Sequence, residues 1–348
     1  MSESGNILGD SVRRLLEDHE ANWARPEAPG WIDGLWPAVD ALGLPLALLS
    51  EAQGGFDLPA SDALNAVRIA GAFAAPLPIG EAMLAHWLLA SAGMERPEGA
   101  ITIALSPADL ELSAEADGVR LRGSAARVPF ARHVEWIVVC VAQGPRTSVV
   151  LLSASELQIT HGDNVAGEPR DSFEIDMSVP RDRAGQIPDL DAAKLRALGA
   201  ALRCQSLAGS IERVLAMTLQ YVQERTQFGR ALGSFQVVQH NLAVMAGQAV
   251  AAGAAADMAA EAFATGDLLP IAIGKARAGE AAGVVATIAH QMHGAIGFTQ
   301  EHALGRFTRR LWAWREEYGA EAEWAAHIGL AAAQAGPRGL WPLLARVS

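Results

Sequence analysis

The sequence predicts a mainly helical α+β fold in three consecutive zones: a helical N-terminal domain over residues 1–105, a small β-barrel or sandwich over 106–188, and a four-helix bundle over 189–348. Three observations carry that prediction. Apolar residues recur at helical spacing in the first and last zones and alternate with polar residues in the middle one. Glycines 229, 266 and 294 divide the last zone into stretches long enough for bundle helices. The 348 residues, 51% hydrophobic and 19% charged, also exceed what one core usually serves, so two or three packed units are expected.

In the first zone, Trp31 to Leu42 is apolar at helical spacing and stops at Gly43, a residue suited to the left-handed position after a helix. Ser61-Asp62 reads as an N-cap for Ala63 to Phe73, and Glu81 to Ala92 reads as a helix ended by Gly93. The middle zone switches period. Leu110, Leu112, Val119 and Leu121 alternate with polar residues around Asp117-Gly118, a hairpin signature. Trp136 to Val141 and Ser148 to Leu152 flank a turn at Gly144-Pro145, and Phe173 to Val179 alternates again. In the last zone, Ala192 to Glu224, Phe235 to Thr265, Leu268 to His293 and the part from Ala303 read as long helices. The most apolar stretch, Asn241 to Met258, is interrupted by Gln248 and Asp257 and is expected to be a buried bundle helix rather than a membrane span.

The balance of charge narrows the function. A net charge of -12 disfavours nucleic acid, which calls for a basic face. The two cysteines, Cys140 and Cys204, have no metal-ligand or CxxC spacing and read as free thiols in a reducing cytoplasm. The N-terminus has no signal-peptide pattern, so a cytoplasmic protein is expected.

Two segments carry chemistry. The first is Tyr221-Val-Gln-Glu-Arg-Thr-Gln-Phe-Gly229, followed by Phe235-Gln236-Val-Val-Gln239. An arginine beside a tight glycine turn can offer its planar fork to a phosphate, and Phe228 can pack on a flat ring. On chemistry alone the competing reading, Arg225 paired with Glu224 or a nearby acid on a solvated face, is favoured. The second segment is Gln291-Met-His-Gly-Ala-Ile-Gly-Phe-Thr-Gln-Glu301, whose glycines at 294 and 297 allow close backbone approach to a ligand. His293 there reads equally as an ordinary helix-end histidine.

In this order and separation the two segments resemble those of the acyl-CoA dehydrogenase family, with Ala295 in place of one glycine. Leu48-Leu-Ser-Glu-Ala-Gln-Gly-Gly55 is similar to that family's N-terminal Pro-Glu-x-x-Gly-Gly, with Ser50 in the proline's place. The resemblance covers nearly the whole chain. It implies FAD as cofactor, an acyl-CoA thioester as substrate, a carboxylate that removes the α-proton, and an electron-transferring flavoprotein as electron acceptor. It further implies that Arg225, Gln227, Phe228 and Gln236 touch FAD across a subunit interface, and that Gln291 and Gly294 lie along its diphosphate or adenine side.

The sequence departs from the family pattern in three places. No Thr-Glu-x-x-x-Gly-Ser-Asp type segment precedes the hairpin; Ile101-Thr-Ile-Ala-Leu-Ser-Pro107 leads almost directly into it. The stretch Trp312-Ala-Trp-Arg-Glu-Glu-Tyr-Gly-Ala320 stands where Tyr-Glu-Gly-Thr often carries the base, and ungapped counting sets Tyr318 at the glutamate. A one-residue shift brings in Glu317, with Glu316 beside it; the same acids read equally as a charged helix face continued by Glu321 and Glu323. The family's other base position falls at Ala252-Gly253, with Asp257 about a turn beyond. In the third departure, Ala320 replaces the threonine. These features resemble the short, divergent subunits of bacterial heteromeric acyl-CoA dehydrogenases of the steroid side-chain type. A homo- or heterotetramer built as a dimer of dimers is therefore expected, with two roles open: an active dehydrogenase, or a non-catalytic subunit that completes its partner's flavin site.

Overall fold

The structure is a computed structural model, and it describes residues 2–24, 31–32, 34–105 and 109–346. In chain order the main elements are helices α1 (Glu3–His19), α2 (Leu35–Ala41), α3 (Ala60–Phe73) and α4 (Ile79–Ser91), then strands β1 (Ile101–Leu105), β2 (Leu110–Glu115), β3 (Gly118–Pro129), β4 (Trp136–Gln143), β5 (Arg146–Ser153), β6 (Ile159–Thr160), β7 (Arg170–Pro180) and β8 (Ala184–Ile187). Helix α5 (Ala192–Glu224) leads to a hairpin of β9 (Thr226–Gln227) and β10 (Arg230–Ala231), followed by α6 (Gln236–Glu261), α7 (Leu268–His293), α8 (Leu304–Glu316) and α9 (Glu321–Arg346). The residues gather into two compact units, one built on Pro76–Gly199 with most of the residues before 64, the other on residues from Ala200 onward with Leu64–Ala75 and a segment beginning at Leu16.

The first unit holds two four-stranded sheets, ordered β1-β4-β5-β8 and β2-β3-β7-β6. Strand β1 runs parallel to β4, and the other pairs are antiparallel. The alternation read from sequence is what the ladders use: Leu121 and Phe173 are buried while their neighbours Arg122 and Glu174 are exposed. The first hairpin closes over Ala116-Asp117, since Glu115 pairs with Gly118, so its turn sits one residue earlier than expected. Three further expectations need correction. Residues 101–105 are a sheet strand rather than the end of a helical zone, because their β-branched run pairs with β4. The helix expected from Trp31 begins at Leu35, since Gly34 is left-handed at φ 84, although Gly43 at φ 66 ends it as expected. Part of that stretch, residue 33, lies outside the described residues, as does Ser106-Pro107. Asp62 does not cap α3; the helix begins at Ala60, and the Asp62 carboxylate accepts from the backbone N–H of Ser2 at 2.8 Å.

The second unit is the bundle. Glycine sets its closest helix approach: a Cβ on Gly209 of α5 would lie 1.9 Å from the carbonyl oxygen of Arg68, and one on Gly71 of α3 would lie 2.5 Å from that of Ser206. Helix α7 packs against α6, α8 and α9 and is buried along most of its length, starting at Asp267, whose carboxylate accepts from Leu269 N–H at 3.2 Å. Helix α6 is long and apolar enough to cross a membrane by length and composition, with 39% of its most apolar window buried. Helix α6 packs on α7, where Gly274 faces Ala259, and Ala252, Ala256 and Ala259 are buried, whereas Val237, Val244 and Val250 are exposed. The expectation of a buried helix therefore holds for one face only.

Candidate functional site

Two constellations form within the bundle unit. The first gathers the residues that the resemblance assigns to the cofactor. Helix α5 ends at Glu224, and the chain folds back through the β9–β10 hairpin, in which Gln227 pairs with Arg230. Phe228 and Gly229 are the whole loop, at φ 52 and φ 78, the backbone of a two-residue turn that wants glycine or asparagine at both places. A phenylalanine in that conformation costs on the order of 1–3 kcal/mol. Its ring is nevertheless 91% exposed, meeting Phe235 edge-on at 6.2 Å, while the Arg230 guanidinium lies 4.0 Å from the centre of the Phe235 ring. Arg225, Gln227 and Gln236 are exposed around it, and Arg225 has no ion pair with Glu224, which bonds Gln220 at 2.9 Å instead.

The second segment lies at the same end of the bundle. Tyr221 stacks on His293 at 4.4 Å and donates to its carbonyl oxygen at 3.3 Å. Gln291 and Gly294 are exposed, and Gly294 takes φ 64 with open space where a Cβ would project. His290 and His293 face inward: one bonds Thr308 Oγ1 at 2.9 Å, the other the Ala289 carbonyl at 2.8 Å, and burial lowers the pKa of both. They are core residues of this corner. A flat apolar ring projected at an energetic cost, an arginine fork and a glycine-opened helix end together fit a dinucleotide such as FAD, whose isoalloxazine and diphosphate call for those groups.

The second constellation surrounds the acids. Helix α8 stops at Glu316, whose side chain is 57% exposed. Glu317 leaves the helix with ψ 138 and turns inward, its side chain only 9% exposed, to accept from Arg203 Nε of α5 at 2.6 Å. Arg203 is itself 4% exposed and stands 5.5 Å from the centre of the Tyr318 ring. Tyr318 holds φ 56, and its carbonyl oxygen accepts from Trp324 Nε1 at 3.1 Å. Beneath the turn, Lys275 of α7 is fully buried and donates to the carbonyl oxygens of Arg315 at 2.6 Å and Gly319 at 2.8 Å. Asp257 is engaged elsewhere, on Arg68 Nη1 at 2.9 Å.

Sequence reasoning missed Arg203 and Lys275. The signal for the latter was present: it is one of two lysines in the chain, and it sits inside an alanine- and glycine-rich helix, where lysine is rarely buried without partners.

Burial pushes the Lys275 amine down to about 8, against the pull of Cys204, Glu321 and Glu317 and with the repulsion of Arg203. The folded protein thus releases this proton before the unfolded chain does, at its ordinary 10.5. The cost of burying the charge is complete below about 8 and is relieved as pH rises toward 10.5. The stability of the wild type relative to Lys275→Met is therefore expected to improve by about 3 kcal/mol over that interval. Urea unfolding of both proteins across the same pH series measures it.

Residues 197–322 match the acyl-CoA dehydrogenase C-terminal domain. Over 316 residues, 89% of this chain and 93% of the relative, the chain is 26% identical to the acyl-CoA dehydrogenase IpdE2 of Mycolicibacterium smegmatis. Among solved structures, a variant of the Tcur3481–Tcur3483 steroid ACAD superposes with a TM-score of 0.84 at 22% identity, covering 95% of this chain and 98% of that one. The ChsE4–ChsE5 complex from Mycobacterium tuberculosis gives 0.81 at 22% identity, covering 96% and 98%. The chain has the acyl-CoA dehydrogenase fold, and the match to that family's own C-terminal domain spans residues 197–322.

Proposed function

We propose that the chain is a subunit of an FAD-dependent acyl-CoA dehydrogenase that introduces an α,β double bond into a thioester with a steroid-derived acyl group and passes the electrons to an electron-transferring flavoprotein. The observation that carries this reading is the Phe228 hairpin, an exposed aromatic held in a strained backbone beside Arg225, Gln227 and Gln236. FAD, when bound, supplies the hydride acceptor. Arg225 would pair with its phosphates, Phe228 would cover its ring, and Gln291 and Gly294 would line its diphosphate or adenine side. Glu317 is the better candidate base, because a general base works in a dry site and Glu316 is open to water. Its task is to take the α-proton on the carboxylate oxygen.

A second reading has its own observation. A carboxylate that already accepts a charge-assisted hydrogen bond from Arg203 is a weakened base, which favours a subunit that lends FAD contacts while a partner chain supplies the base. The visible spectrum separates the two. A yellow protein that an acyl-CoA bleaches supports an active dehydrogenase. A colourless chain that gains flavin and activity only in complex with another family member supports the second, and a homotetramer with four flavins rules it out. In either assembly Arg225→Ala is expected to weaken flavin affinity at least about tenfold, a loss of one charge-assisted contact. Unchanged flavin affinity on titration would remove Arg225 from the site.

A further inference from the structure

The turn between α8 and α9 is held on every side by groups outside it. Lys275 Nζ bonds the carbonyl oxygens of Arg315 and Gly319, which bracket Glu316, Glu317 and Tyr318. Trp324 Nε1 holds the Tyr318 carbonyl, the Ala320 N–H donates to Glu323 Oε1 at 3.2 Å, and Arg315 Nε pairs with Glu321 Oε1 at 2.7 Å. The Glu321 carboxylate in turn lies where a side chain on Gly279 would be, one helical turn beyond Lys275 on α7. Two consecutive residues of the turn have positive φ, Tyr318 at 56 and Gly319 at 109. A non-glycine residue in that conformation persists only where its surroundings over-determine it. A fully buried lysine is an expensive way to satisfy two carbonyl oxygens, since its charge must leave water. The end of α8 needs such a donor, because the last carbonyls of a helix have no partner within it.

We propose that Lys275 is a positioning residue for Glu317: by tying the last turn of α8 and Gly319 to α7, it fixes where the Glu317 carboxylate and the Tyr318 ring meet Arg203. The inference rests on the proposed dehydrogenase reading for the role of Glu317, but not for the clamp itself.

The test compares Lys275→Met, which keeps the volume and removes the donor, with Lys275→Gln, which keeps an amide donor. Both are made in the assembled, flavin-loaded protein. Hydrogen–deuterium exchange over residues 313–322 is expected to speed up about tenfold or more in the Met variant, with partial recovery in the Gln variant and no change over residues 226–231. Turnover is expected to fall about 100-fold in the Met variant with KM nearly unchanged, the signature of a displaced reacting group rather than lost substrate binding. Exchange within error of wild type over 313–322 overturns the proposal, and so does a rise spread evenly over the chain. If the Met variant does not fold, the Gln variant carries the same comparison; if neither folds, rapid exchange of this segment in the wild type overturns the proposal. Faster exchange at the turn while Glu317→Gln still bleaches would keep the clamp and discard Glu317 as base, so the two ideas fail separately.

Discussion

Arg203→Met is expected to destabilise the protein by about 3–5 kcal/mol, the largest stability effect of any single change considered for this chain. Both members of the pair are buried, at 4% and 9% exposure, and their nitrogen and oxygen lie 2.6 Å apart. Removing the guanidinium leaves a carboxylate with little water and without its directly bonded cation, and that undercompensated group rather than the lost attraction sets the size of the effect. The argument has a sign that a double-mutant cycle reads. Arg203→Met combined with Glu317→Gln should recover much of the loss, because no charge is then stranded. Denaturant midpoints of the four proteins give the coupling. A single variant as stable as the wild type, or a double variant worse than the sum of the two singles, would show that the pair carries no such weight. The Arg203 variant should also loosen the Tyr318 turn, since the same guanidinium lies over that ring.

The bundle was legible because its signals are local and redundant. Helix α7 was read from Leu268 to His293 and found there, with Gly294 at positive φ at its end, since one residue's φ preference and one period decide both boundaries. Strands β4 and β5 were legible through Gly144-Pro145, the two residues between their paired ends Gln143 and Arg146. Misreadings arose where a distant partner overrode a local rule. Asp62 looks like a cap, but its carboxylate is taken by Ser2, sixty positions away. The start of α2 was lost to Gly34, whose left-handed backbone no periodicity announces.

For the site, the motif residues were singled out by their resemblance to a family pattern, since type and spacing alone favoured a solvated face for Arg225; the structure leaves Arg225, Gln227, Phe228 and Gln236 exposed about the β9–β10 hairpin. The Phe228 turn was visible in the same way. What holds the acids was not. Arg203 and Glu317 are 114 positions apart, and Lys275 reaches backbone carbonyls, which have no sequence signature at all. Counting along the chain gave Tyr318 the glutamate's place, and only the fold shows that Glu317 and Tyr318 share one partner, one through charge and the other through its ring face.

Glu317→Gln is expected to reduce the rate of flavin bleaching by an acyl-CoA about 100- to 10,000-fold while leaving flavin bound, the span that a positioned general base contributes. The amide keeps the shape of the side chain and an oxygen that Arg203 Nε can still meet, so the turn is altered less than by truncation. It cannot accept the α-proton. Flavin retention is the control that separates chemistry from assembly, because the hairpin that carries Phe228 lies on other elements, β9 and β10. Two outcomes are informative in opposite directions. Loss of bleaching with full flavin content means that the Arg203 contact orients the carboxylate without disabling it, and the chain is then an active dehydrogenase. Retained bleaching means that the ion pair is structural. The base must then come from elsewhere, and the exposed hairpin becomes the whole of what this chain brings to its partner's site.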